Sequence, residues 1–194
     1  LSVYDTTFTS ETNGLSLSGI SATILDSVRV NMSLDAVSGI DILQGHHEFS
    51  QLEVNMPFNQ FETGSTGIEA WWCSIDSDEV TVNGFANSFA LYESMAEFDD
   101  LNLLDSSEQG LYASSSMLHV SDSLVTKISD TGLNMVASSA VLRTWDASYH
   151  EDASVIDADS EVTAWSMTST SNLDSDSTGD GILNYGTTQT LNID

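Results

Sequence analysis

The feature that most constrains the fold of this chain is an alternation of apolar and polar residues with a period of two. Successive side chains of a β-strand point to opposite faces, so this alternation predicts strands with one buried face. The two longest alternating segments cover positions 28–34 and 52–58. Shorter ones occur at 15–17, 40–42, 80–82, 133–135 and 162–164. We therefore predict a mainly β protein.

The segments between these alternations carry turn residues. Asn13-Gly14 and Asn83-Gly84 are typical of tight turns, and glycines recur at 179–181. Ala113–Ser116 is echoed by 137–140, but the echo does not establish a fixed repeat, so a β-helix is not favoured. We predict an antiparallel sandwich or a jelly-roll-like meander. It would form a single β-rich domain over 1–194, for which an elongated shape is an alternative to a compact one.

One segment departs from the period of two. Phe85, Phe89, Tyr92, Met95 and Phe98 recur every three or four residues, with alanines between them. This spacing places apolar side chains on one face of a helix. We predict at most one short helix, at about 86–98, with a strand as the alternative.

The charge of the chain excludes two classes of partner. Thirty carboxylates stand against three basic residues, which gives a formal charge of −27. Binding to nucleic acid or to an anionic membrane surface requires Lys and Arg against phosphates. We therefore predict no nucleic-acid partner and no membrane insertion.

Several features favour an exported protein. The sequence begins at Leu1 rather than Met, as expected of a mature form after removal of a signal peptide, and no apolar run approaches the roughly 18 residues of a membrane span. A haloarchaeal cytosolic protein would share the acidity, but the Ser excess and the scarcity of Arg favour export. We predict an extracellular or cell-surface location, with a virion as the alternative.

The strongest local motif lies near the carboxyl end of the sequence. Alternate oxygen ligands followed by glycine are typical of calcium loops, and Asp176, Thr178 and Asp180 resemble the first ligands of EF-hand or dockerin-type loops. Thr187 stands where such loops carry a bidentate Glu. The alternative is a solvated turn. The predicted calcium ligands are Asp174, Asp176, Thr178 and Asp180.

Three further motifs are short. His46-His47-Glu48 has metal-ligand chemistry, but neighbouring strand residues face opposite ways, so two exposed histidines in a loop are favoured. Asn31-Met32-Ser33 fits the acceptor pattern for N-glycosylation and predicts a glycan on Asn31. Trp71-Trp72 beside the single Cys73 predicts core or subunit interface, and a buried, inert thiol.

No catalytic motif is present in the sequence. It contains no G-x-S-x-G elbow, phosphate-binding loop or dinucleotide fingerprint. We therefore predict that the protein is not an enzyme, and keep a secreted hydrolase with a dispersed site as the last alternative.

The leading functional hypothesis is an exported structural subunit. It would self-assemble through β-edges, with copies of itself as partners, into an extracellular filament, sheath, surface coat or virion shell. The alternative is a calcium-stabilised carbohydrate-binding or adhesin module of a secreted protein, using Trp71, Trp72 or Tyr149 against glycans. Calcium is the only cofactor predicted in either case.

Overall fold

The structure is a computed structural model that describes residues 1–33, 36–57, 64–128, 131–148, 155–170 and 182–184. All of its strand pairs are parallel, and no helix occurs among the described residues, so none there could span a membrane. The strands are β1 (Ser2–Ser10), β2 (Asn13–Ser18), β3 (Ala22–Met32), β4 (Ser38–Ser50), β5 (Leu52–Asn55), β6 (Thr66–Asn83), β7 (Asn87–Tyr92), β8 (Met95–Ser106), β9 (Gln109–Ser114), β10 (Met117–Ile128), β11 (Thr131–Val136), β12 (Ser139–Ser148), β13 (Val155–Ala158), β14 (Glu161–Thr170) and β15 (Ile182–Asn184).

The strands form the successive coils of a β-solenoid. Each coil contributes a short stretch and a long stretch of strand, and each stretch pairs in register with its equivalent in the next coil. Strand β6 carries both stretches, since its first part pairs with β7 and its second with β8. The long stretches then continue through β10, β12 and β14, and the short ones through β9, β11, β13 and β15. The coils therefore stack along one axis.

The prediction of an antiparallel sandwich or jelly-roll-like meander is wrong. The mainly β composition and the one-sided strands are confirmed, but every pairing among the described residues is parallel. A period of two reports that one face is buried and carries no information on the direction of the neighbouring strand. The Asn83-Gly84 pair ends β6 at a corner of the solenoid, where Gly84 has a φ of +86°, rather than closing a hairpin.

The predicted helix at about 86–98 is also wrong. This segment forms β7, a corner and the start of β8. Phe89 and Phe98 both point into the core, where their rings meet edge to face at 5.2 Å between centroids. The corner at Glu93 and Ser94 shifts the alternation between the two strands, and this shift produces the spacing of three and four residues.

The core consists of inward rows that run along the solenoid axis. Equivalent residues of neighbouring coils stack on one another, so each row is a column of side chains from successive coils. One such row is continuous through seven coils and is buried throughout. Its members are Leu25, Phe49, Ser77, Phe98, Val120, Leu142 and Ala164.

The corner between the short and the long stretch repeats in the same form. A residue with φ near +50° is followed by a small buried residue in each of five coils. The backbone N–H of Ser116 donates to Oγ of Ser138 at 3.0 Å, and that hydroxyl donates to the carbonyl of Val136 at 2.8 Å. These bonds satisfy backbone groups that the turn removes from the sheet. The pairs are Trp72-Cys73, Glu93-Ser94, Ser115-Ser116, Ala137-Ser138 and Asp159-Ser160.

Candidate functional site

The most distinctive surface is the free edge of β1. This strand pairs with β3 on one side, and no described strand pairs with its other side. Ser10 accepts a hydrogen bond from the N–H of Ser33 in the direction of β3. Because alternate residues of a strand bond to opposite sides, Thr7 and Thr9 direct their N–H and C=O groups away from β3. Among the described residues, no strand pairs with these backbone groups.

The edge lacks the devices that usually prevent strand addition. Natural edge strands carry lysines, prolines or inward charges that block a further strand. Strand β1 contains neither lysine nor proline, and its only charged side chain is Asp5. Asp5 has a φ of +44°, and its register neighbour Ser27 has a φ of +56°. Because both residues adopt this left-handed conformation, the two strands bend together and remain paired on both sides of the bend.

The core is incompletely covered at β1. Val3 and Phe8 belong to inward rows, yet both are only partly buried, because β1 is the last described strand above them. Their register partners in β3, Leu25 and Val30, are fully buried. Tyr4 is 53 % exposed on the outer face. Another coil stacked on β1 would bury this apolar surface.

Carboxylates are concentrated on the central coils. Glu79, Asp100 and Asp122 are register neighbours on β6, β8 and β10, and Asp76 is the neighbour of Glu97. Neighbouring strands are about 4.8 Å apart, so these like charges repel one another. Strand β14, the last described strand of the long face, carries only Glu161 as a charged residue. The outward residues of β1 and β14 are instead mostly hydroxyl and aromatic residues.

An aromatic cluster lies on the outer face of the short stretches. Trp71 and Tyr92 are register neighbours, and their rings stack at 3.9 Å between centroids with an interplanar angle of 11°. Trp71 donates its indole N–H to Glu69 at 3.0 Å. Burial and the nearby Glu69 raise the pKa of the Tyr92 hydroxyl. Because the two rings cover each other's faces, they present mainly their edges to solvent.

Trp72 differs from its neighbour. It occupies the corner with a φ of +52° and is 50 % exposed, and its ring is tilted against that of Trp71. The corners that follow it along the axis line a shallow polar groove of about 640 Å³ that runs from Glu93 to Glu161. Trp71 is half-buried and Trp72 is exposed, so a place in the core is wrong for this pair, whereas the alternative, a subunit interface, stays a prediction. Cys73 is buried as predicted, and burial raises the pKa of its thiol.

The histidine pair lies on a strand and not in a loop. His46 faces outwards, with its Nδ1 2.8 Å from Oγ of Ser74 and its Nε2 3.4 Å from Glu48. His47 is fully buried, its Nε2 lies 2.9 Å from the carbonyl of Gln44, and its Nδ1 has no partner. The interpretation of two exposed histidines is wrong for His47. The strand separates the two rings to opposite faces.

The remaining predicted sites have different outcomes. Asp174, Asp176, Thr178 and Asp180 lie outside the described residues, as does Tyr149. Asn31 lies on the outer face of β3, half-buried between Thr9 and Asn55 of the neighbouring coils. Within the described ranges, no three His, Cys, Asp or Glu side chains form a group that could hold a metal ion.

The sequence analysis does not predict the edge of β1 or the rows in which equivalent residues of successive coils stack. The serines at positions 94, 116, 138 and 160, each 22 residues after the last, are the signal that predicts parallel coils. Once coils are assumed, β1 becomes the first described coil and the outer carboxylates become rows. Comparison with known proteins adds no relative, since no protein-family model, no curated protein and no solved structure matches this chain.

Proposed function

We propose that the protein is an exported structural subunit that self-assembles through its β-edges into an extracellular filament, sheath, surface coat or virion shell. The observation that carries this proposal is the edge of β1, where no described strand pairs with the outward backbone groups and the core residues Val3 and Phe8 are only partly covered. Strand addition would pair the backbone and cover Val3 and Phe8 at once. Cations that screen the charge of −27 would favour the assembly.

A pair of variants at Thr7 tests this proposal. Thr7→Pro removes an N–H that points to the free edge and leaves the pairing with β3 intact, whereas Thr7→Val keeps the N–H. We expect polymers of the wild type and of Thr7→Val in electron microscopy and light scattering, and monomers or short oligomers of Thr7→Pro. Thermal unfolding followed by circular dichroism would verify that each variant is folded. A wild type that stays monomeric at high concentration, with calcium and with a chelator, would contradict the proposal.

The second candidate is a calcium-stabilised carbohydrate-binding or adhesin module. The half-exposed Trp72 beside the polar corner groove favours it, because an exposed indole offers a face to a sugar ring. Trp72→Ala should abolish binding in a glycan array. Trp165→Ala is the matched control, since Trp165 is also exposed but lies on the long face. A wild type with no glycan ligand would exclude this candidate.

A further inference from the structure

We infer that one internal water molecule bridges Thr23 and His47, and so joins β3 to β4 inside the core. The two residues are register neighbours with inward side chains, and they are 1 % and 0 % exposed. Oγ1 of Thr23 and Nδ1 of His47 have no hydrogen-bond partner among the described residues. Buried polar atoms in folded proteins are paired with protein groups or with ordered water, so two such atoms in neighbouring coils indicate a shared partner.

The ring of His47 replaces a serine at the corner of its coil. Gly45 holds the corner position that serine holds in later coils, for example Ser94. Ser94 donates its hydroxyl to a corner carbonyl, and Gly45 has no side chain with which to do so. Nε2 of His47 instead lies 2.9 Å from the carbonyl oxygen of Gln44. A Cβ at Gly45 would lie only 3.1 Å from Nε2, so glycine leaves room for the ring.

The contact with Gln44 fixes the tautomer of the ring. A carbonyl oxygen only accepts, so Nε2 carries the proton and Nδ1 of the neutral ring is an acceptor. The hydroxyl of Thr23 is a donor in the neighbouring coil, but it does not bond to Nδ1 directly. Both groups are held in place, the ring by its bond to Gln44 and Thr23 by the few χ1 positions of a β-branched side chain. A water molecule spans the longer gap, since it donates to Nδ1 and accepts from Oγ1.

Ser77 lacks the polar neighbour that Thr23 has. Its Oγ is also buried and without a partner among the described residues. Its neighbours in the inward row, however, are Phe49 and Phe98, which offer no polar side-chain atom. An internal water needs about two to four polar partners, and Ser77 supplies one. Ser77 is therefore a matched control for the site at Thr23 and His47.

Oxygen-17 relaxation dispersion tests the site, because it counts long-lived water molecules and does not respond to exchange of hydroxyl protons. Thr23→Val removes the hydroxyl at nearly the same volume, whereas Thr23→Ser keeps it. We expect Thr23→Val to hold one long-lived water fewer than the wild type. Thr23→Ser and Ser77→Ala should hold as many as the wild type. Thermal unfolding followed by circular dichroism would verify that each variant is folded.

Nitrogen-15 spectra of labelled histidine supply the second measurement. The chain has four histidines, so His47→Gln assigns the signals of His47 by their loss. At about pH 8, where the ring is neutral, we expect the proton on Nε2 and a hydrogen-bonded Nδ1 that shifts in Thr23→Val. A proton on Nδ1 would overturn the inference. An unchanged water count in Thr23→Val would also overturn it, and a shift of Nδ1 in that case would establish a direct bond from Thr23. Loss of the same water in Ser77→Ala would overturn the assignment to this pair.

Discussion

At the scale of single residues, a row of glycines permits the close approach of neighbouring coils. Gly14, Gly39 and Gly67 are register neighbours on the short stretches. A Cβ at Gly67 would lie 2.2 Å from Cγ1 of Val82 and 2.5 Å from the carbonyl oxygen of Ser88. One contact is with backbone, so rotation of a side chain cannot relieve it.

We expect Gly67→Ala to lower the free energy of unfolding by roughly 1–3 kcal/mol, the usual cost of overpacking a core. Ser16→Ala is the control, because Ser16 is exposed on the outer face of β2 and should change stability by less than about 0.5 kcal/mol. Urea unfolding of both variants measures the difference. A Gly67→Ala protein as stable as the wild type would mean that the coils are further apart than the structure places them.

The buried His47 makes stability depend on pH. Burial lowers the pKa of its imidazole below the ordinary 6.5, so the folded protein holds the ring neutral while the unfolded chain binds a proton. The stabilisation is therefore complete above about pH 6.5 and is lost as the pH falls from there towards the folded pKa. We expect the melting temperature of the wild type to fall between about pH 7.5 and pH 5.5 relative to that of His47→Gln.

Comparison of variants isolates this effect from the titration of the many carboxylates, which the proteins share. His46→Gln is the control, because His46 is exposed and should leave the pH dependence of the melting temperature unchanged. Identical pH profiles of the wild type and His47→Gln would contradict the assignment.

At the scale of strands, rows of like charge oppose the stacking of coils. Asp100 lies between Glu79 and Asp122 in one outer row, whereas Asp146 lies between Leu124 and Thr168. We expect Asp100→Asn to stabilise the fold by roughly 0.2–1 kcal/mol at low salt, since the amide keeps the oxygen that accepts from Asn102. Asp146→Asn should give a smaller gain. Urea unfolding at low and high salt measures both, and a gain for Asp100→Asn that persists in high salt would contradict a charge effect.

The strands themselves were largely predictable, but their neighbours were not. The alternations at 28–34 and 133–135 fall in or overlap β3 and β11 as predicted. The repeat is hard to see in the sequence because the echo of Ala113–Ser116 at 137–140 has an offset of 24, whereas Ser116 pairs with Ser138 at an offset of 22. Rows accept any apolar residue inside and almost any polar residue outside, so few positions repeat in identity, among them the corner serines and the glycines of the short stretches. The strand that contains His47 is also hard to predict, because the adjacent polar residues His46 and His47 interrupt the alternation with a period of two.

At the scale of the whole molecule, the edge of β1 and the rows of carboxylates bear on the form of any assembly. Pairing of β1 with a strand of another copy would extend the stack of coils along its axis. The eight described levels of long strand, from β1 to β14, occupy about 38 Å at a spacing of about 4.8 Å, so the axial repeat of such an assembly would be at least about 38 Å per subunit. Side-by-side packing would instead bring together the carboxylate rows of neighbouring molecules in a chain with a charge of −27. End-to-end growth is therefore favoured.

Fibre diffraction and electron microscopy of polymers measure this repeat. We expect strands perpendicular to the fibre axis, a meridional reflection at about 4.8 Å and a longer repeat of at least about 38 Å. Thr7→Pro should abolish both spacings in the fibre because it removes the edge through which subunits join. Strands parallel to the fibre axis would mean that solenoids associate through their sides. In that case the acidic rows would have to be bridged by cations, and a chelator would dissolve the fibres while leaving each solenoid folded.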